Sequence, residues 1–193
     1  MGQSRISDSN LVLENATLAF WAHGYKSTSI NDLIAATGLN RARLYGAFKD
    51  KRGVFMACLR HYSDNDKRAF LDRLAHDLPA REAIIAVFDA VRMAPDAGRP
   101  GGCFLVNTAI ENAPHDAEIR DVVQDGLGHV ELFFRERVKE GQRVGTIRSD
   151  IDAAPTAQAL LGLYISLRVL IRSGASPQEA PTAIAALGRM LLG

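Results

Sequence analysis

Residues 28–51, TSINDLIAATGLNRARLYGAFKDK, hold two short helix-forming runs on either side of a glycine. Ser29 can cap the first amides of one helix while Asp32, three positions on, reaches back as the other half of a capping box. Leu33, Ile34 and Thr37 keep the helical spacing up to Gly38, which can take the positive φ that stops a helix within one residue. Leu39 plugs the turn. Asn40 can cap a second helix on which Leu44, Ala47 and Phe48 recur at three- and four-residue intervals, and these are expected to face inward. Arg41, Ala42, Arg43 and Tyr45 are left on the outer side.

A helix, a glycine turn and a second helix with arginines in its first turn suit the major groove of duplex DNA. A guanidinium there can pair with both acceptors of guanine, and neighbouring polar groups can hold phosphates. Lys49 and Lys51 follow at the entrance to another helix, where ammonium groups and free backbone amides together favour a phosphate. They are expected to position the helix rather than read bases. The competing reading of Arg41, Arg43 and Lys49 is a solvated face, and Tyr45 could pack its ring on the head with its hydroxyl in water.

The 193 residues carry a formal net charge of +1, unevenly spread. Residues 1–62 hold eight Lys or Arg against four Asp or Glu, whereas the remainder hold fifteen against eighteen. A basic front on a mildly acidic body fits a protein that touches nucleic acid with one end. At 47% hydrophobic, the chain is ample for a buried core. The first ten residues lack a signal-peptide core and no run approaches ~18 uncharged apolar residues, so a cytoplasmic protein without a membrane partner is expected. Cys58 and Cys103 are too few for a disulfide framework or a cysteine zinc cage. The five histidines show no metal-ligand spacing, and no phosphate-binding glycine loop or serine elbow occurs. No cofactor, metal or catalytic set is expected.

The rest of the chain reads as all-α, about nine helices without repeats. Residues 11–22 form an amphipathic first helix that His23-Gly24 stops. Val54, Phe55, Cys58, Leu59 and Tyr62 open a longer helix that runs towards Leu78, where Pro79 breaks it. Further helices follow over 80–93, 103–112, 118–140, 153–173 and 177–192, with Pro114 starting one of them and Gly126 and Gly128 weakening the middle of the long one. The expected division is a helix-turn-helix head over 1–52 and a helical body over 53–193. The last two helices carry more apolar surface than one stripe needs. A two-fold dimer through a four-helix bundle is expected, with Ala157, Leu161, Tyr164, Ile165, Ile184, Leu187 and Leu191 at its interface. Gly162, Ala185, Ala186 and Gly188 would allow close approach; the alternative is that all of this surface is intramolecular core.

AFWAHGYKSTS (19–29), ATGLN (36–40) and LYGAFKDK (44–51) together resemble the TetR family of bacterial transcriptional regulators, over about the first 60 residues. The resemblance implies a three-helix DNA-binding head on a ligand-binding and dimerisation body. It implies a homodimeric repressor that leaves a palindromic operator when an effector binds. It places Thr28, Tyr45 and Lys51 at phosphates and Arg41, Ala42 and Arg43 at base edges. Ser29, Asn40 and Lys49 complete the candidate DNA-binding set. Two positions depart from the pattern: Ala47 replaces a histidine or aromatic residue common in relatives, and Ile34 replaces a small one.

GGCFLVNTAIE (101–111) resembles a segment of a TetR subgroup that includes repressors of detoxification genes, some sensing electrophiles or oxidants. Cys103 stands at a helix start, where the dipole and free amides favour thiolate, which makes it a candidate sensor thiol; the alternative is an inert small hydrophobe. Cys58, among Phe55, Leu59 and Tyr62, reads as core. Asn107 and Glu111 share a helical face and could grip a small hydrophobic or electrophilic effector. Phe88, Phe104, Phe133, Phe134, Tyr164 and Arg168 are further lining candidates, and Arg168 needs either Glu111 or an acidic effector if buried. Two rival readings are a small thiol-dependent enzyme pairing Cys103 with His115, and a regulator that answers to a protein partner alone.

Overall fold

The structure, a computed structural model, describes residues 2–93, 99–174, 180–190 and 192–193. Its first helix, α1 (Gly2–Ser27), extends past the expected stop, but Gly24 interrupts it with φ 80° and ψ 161°. α2 (Ile30–Thr37) begins on the anticipated capping box: the Asp32 amide donates to Ser29 Oγ at 3.2 Å and the Ser29 amide to Asp32 Oδ2 at 2.7 Å. Gly38 ends it at φ 69°, and the Arg43 amide donates to Asn40 Oδ1 at 2.9 Å to start α3 (Arg41–Phe48). Leu33 and Leu44 are fully buried beneath the turn. Ala47, expected inward, is exposed; Leu44 and the half-buried Phe48 anchor α3 instead.

α4 (Lys51–His61), a π-helical segment (Tyr62–Arg68) and α5 (Ala69–Asp77) form one continuous helical run up to Pro79. α6 (Ala80–Met93) and α7 (Phe104–Glu111) follow. Pro114 lies in a single 3₁₀ turn, and Asp116 caps α8 (Ala117–Val144). α9 (Ala153–Arg172) and α10 (Ala180–Met190) complete the chain. With the α4-to-α5 run taken as one rod this makes nine helices, and no strand occurs among the described residues.

Phe20 of α1 meets Phe55 of α4 edge-on at 5.1 Å, which fixes the head to the start of the long rod. In the body, α8 packs against α9, α6 and α7. Gly126 does not interrupt α8. A Cβ there would come within 2.8 Å of Leu105 and Ser63, so the glycine is what lets α8 approach α7 and the π segment. Ala157 and Tyr164, expected between subunits, are buried in the core of the single chain. Gly188 likewise serves internal packing, since a Cβ on it would touch the Phe88 ring at 3.2 Å. Leu161, Ile165 and Ile184 are half-buried; Leu191 and the side chains of Ala185 and Leu187 lie outside the described residues. α9 is long and apolar enough to cross a membrane by length and composition, yet Leu160, Tyr164 and Leu167 pack into the core.

Candidate functional site

Two surfaces carry the chemistry. On the head, Arg41, Ala42, Arg43 and Tyr45 are exposed together on α3. Arg41 is tied back to α2, its Nη2 donating to Asn31 Oδ1 at 2.8 Å, whereas Arg43 has no such tether among the described residues. Asn31 carries no motif signal of its own, and only the packing of α2 on α3 brings it under Arg41. Ser29 and Asn40 lie exposed at the two caps, each with one side-chain oxygen already engaged by a backbone amide.

Thr28 is placed otherwise than expected. It is fully buried, and its hydroxyl and its backbone amide both donate to the Gly24 carbonyl, at 2.8 and 3.3 Å, just beyond the break in α1. It therefore braces the head instead of facing a phosphate. The amides at the start of α4 are also partly occupied, since the Gly53 amide donates to Asp50 Oδ1 at 2.7 Å. Lys51 sits 4.6 Å above the Tyr25 ring and donates to the Lys26 carbonyl at 3.3 Å; Lys49 is exposed.

The second surface lies in the body. A cleft of about 490 Å³ opens between α1, the π segment, α5, α6 and α9. Trp21, Tyr62 and Phe70 give it apolar wall, and Lys67, Arg73, Arg99 and Arg168 give it charge. Of the residues expected to line an effector pocket, only Arg168 lines this cleft; Phe133 borders a second one, of about 400 Å³, between α5 and α8. Phe88 stacks on Phe134 and Phe133 meets Phe134 edge-on, so these rings are core between α6 and α8. Phe104, Asn107 and Glu111 border a separate crevice of about 10 Å³, too small for an organic ligand. Arg168 does not pair with Glu111: its Nη1 donates to the Gly102 carbonyl at 2.8 Å and its guanidinium lies 5.1 Å from the Tyr164 ring centre.

Cys103 sits directly behind the cleft wall as the N-cap of α7, fully buried. Its sulfur is 3.5 Å from the Tyr62 hydroxyl and 3.9 Å from that of Tyr164. Burial pushes the thiol up, but the charges of Lys67 and Arg168, the Tyr62 hydroxyl and the Val106 amide outweigh it and bring it down to about 7. Burial, reinforced by the Arg168 charge, also brings Lys67 down to about 7. Cys58 is the contrasting case: burial pushes its thiol up to about 12. The expectation of a core Cys58 and a helix-start Cys103 agrees with these placements. His115 is exposed on the 3₁₀ turn and is not among the groups acting on Cys103.

Cleft and head share direct contacts. Trp21 of α1 donates its indole N–H to the Gly101 carbonyl at 3.1 Å, and Arg172 of α9 donates to the Ala22 carbonyl at 3.3 Å. Arg168 holds the neighbouring Gly102 carbonyl, so two successive carbonyls of the Gly101-Gly102-Cys103 stretch are gripped by residues of the cleft. A second joint links α4 to the start of α8, with Arg52 on Asp116 at 2.9 Å and on Glu118 at 2.8 Å, and Arg60 on Glu118 at 2.7 Å.

Residues 12–58 match the family described as bacterial regulatory proteins, tetR family, and residues 80–187 match the tetracyclin repressor-like C-terminal domain. The chain is 34% identical to the uncharacterized HTH-type transcriptional regulator YezE of Bacillus subtilis (strain 168), over 89% of this chain and 90% of that one. It is 27% identical to the HTH-type transcriptional repressor ComR of Escherichia coli (strain K12), over 92% and 86% of the two chains. In structure it resembles a cysteine mutant of the TetR family transcriptional regulator CifR, complexed with 26-base-pair double-strand operator DNA, with a TM-score of 0.81 and 26% identity over 95% and 96% of the two chains. Head, body and relatives agree: the chain belongs to the TetR family of DNA-binding bacterial transcriptional regulators.

Proposed function

We propose that the protein is a cytoplasmic, non-enzymatic repressor that holds a palindromic operator as a homodimer, residues 1–52 reading the DNA and residues 53–193 sensing and dimerising. The exposed row from Arg41 to Tyr45, on a short helix whose cap is already satisfied, carries this reading. α3 enters the major groove, Arg43 reads a base edge, and Arg41 joins it by exchanging Asn31 for DNA. Ser29, the free amide group of Asn40, Tyr45, Lys49 and Lys51 face phosphates. The groups around Cys103 are tyrosines and cations with no histidine, which favours a regulator over a thiol enzyme.

Release follows when a ligand in the cleft, or modification of Cys103, displaces the Gly101-Gly102-Cys103 stretch and with it the end of α1. A ~100-fold preference of the effector for the released state corresponds to about 2.7 kcal/mol of coupling. Titrations of operator and random DNA at several salt concentrations test the head. Arg43→Ala should lose affinity for operator about 10-fold or more while random DNA changes little. Lys49→Gln should weaken both alike and flatten the salt slope by about 1 per half-site. Equal losses on both DNAs for both variants would overturn the assignment.

A further inference from the structure

The charges of the cleft are unbalanced. Lys67, Arg73, Arg99 and Arg168 line it, against Asp66 as the single carboxylate among the lining residues described. Asp66 stands 4.0 Å from Arg99, and Arg73 has no ion-pair partner among the described residues. Arg168 is 6% exposed, and its Nε is buried without a partner. The Cys103 sulfur faces this guanidinium from behind the wall, and the unfilled Nε is the donor left for an anion.

A cationic ligand is excluded by what already covers the rings. Lys67 Nζ lies 5.7 Å from the Tyr62 ring centre and 5.5 Å from that of Tyr164, and the Arg168 guanidinium is over Tyr164 as well. Those faces are occupied by the protein's own cations, so a second cation would meet repulsion. The walls left free are the apolar surfaces of Trp21 and Phe70. The volume, about 490 Å³, is that of a small-molecule site.

We propose that this cleft binds a small organic carboxylate, with its charged end on the Arg168–Lys67 side and its apolar body against Trp21 and Phe70. This rests on the reading of the body as a sensing domain and adds the ligand class. Arg73 and Arg99, nearer solvent, draw the anion in. A carboxylate suits the site because a planar two-oxygen acceptor matches the edge of a guanidinium.

Trp21 is the only tryptophan and stands in the cleft wall, so all tryptophan emission comes from a ring that a bound ligand would touch. Octanoate, octanamide and octylamine are titrated into the full chain without DNA, followed by Trp21 fluorescence and by calorimetry. Octanoate should give a saturable response, octanamide should bind at least ~10-fold more weakly, and octylamine should not bind. Arg168→Met should abolish the octanoate response. Arg73→Gln, at an exposed position that the fold does not depend on, should weaken it several-fold. Indifference to octanoate, or equal responses to all three compounds, would overturn the proposal. Octanoate that binds as described but leaves the operator complex intact at saturation would uphold the carboxylate site and defeat only the sensing role.

Discussion

The sulfur of Cys103 is governed by Tyr62 and Lys67 from the π segment and by Tyr164 and Arg168 from α9, while Asp66 and Arg99 act on Lys67. Lys67 and Arg168 offset burial and bring the thiol down to about 7, the range in which Lys67 also gives up its proton, so the two groups titrate as a pair. Alkylation by iodoacetamide, read peptide by peptide by mass spectrometry, should therefore rise through a midpoint near pH 7 at Cys103. Cys58, pushed up to about 12, should stay unmodified over the same range. Lys67→Met removes one of the two cations and should move the Cys103 midpoint upward. Parallel profiles for the two cysteines would contradict this account. The helix-start position of Cys103 is readable from its double glycine. Lys67 is not, because nothing in the spacing of a single helix announces which residue of a neighbouring helix will face the sulfur.

Elements capped by their own neighbours were legible, and elements placed by distant partners were not. Ser29, Asp32, Gly38 and Asn40 act within four residues, so the helix-turn-helix follows from the sequence nearly residue by residue. The cleft draws on five elements, and of its lining only Arg168 stood out, as a charge in an apolar run. Gly126 and Gly128 of α8 show the same divide. As letters they are equivalent weak points of a helix, but a Cβ at Gly126 would meet Leu105 and Ser63 at 2.8 Å while Gly128 faces open space. Gly128→Ala should raise stability by up to ~1 kcal/mol in urea unfolding, the ordinary gain of alanine over glycine in an exposed helix. Gly126→Ala should lower it by about 1–2 kcal/mol, because overpacking against buried side chains outweighs that gain. The same sign at both positions would show that α8 and α7 are not in close contact.

Among the described residues, α9 presents a long face without an internal partner. Ala159, Gly162, Ser166 and Val169 lie exposed along α9 beside the half-buried Leu161 and Ile165, so the excess of apolar surface was legible although its direction was not. Tyr164 and Ala157 point the other way, into the chain's own core. With a dimer across this face, Val169→Glu should give a monomer by light scattering with unchanged helical content. Its operator affinity should fall by at least about 100-fold, since two linked heads gain from effective concentration and one does not. A variant that remains dimeric would place the interface elsewhere.

Between Tyr62 and Arg68 the backbone runs as a π-helix, whose hydrogen bonds span one residue more than those of the α-helices on either side. Each residue of an α-helix turns the chain by about 100°. A residue added to an unbroken α-helix would swing everything beyond it by about that angle, whereas the wider π turn takes up its extra residue and leaves α5 close to the phase it would have without it. The shaft thus carries a surplus residue while keeping the DNA-reading half and the ligand wall in phase. A chain lacking one residue at this point would keep α5 in phase with the head and lose instead one of the side chains that Tyr62, Asn65, Asp66 and Lys67 now bring to the cleft wall.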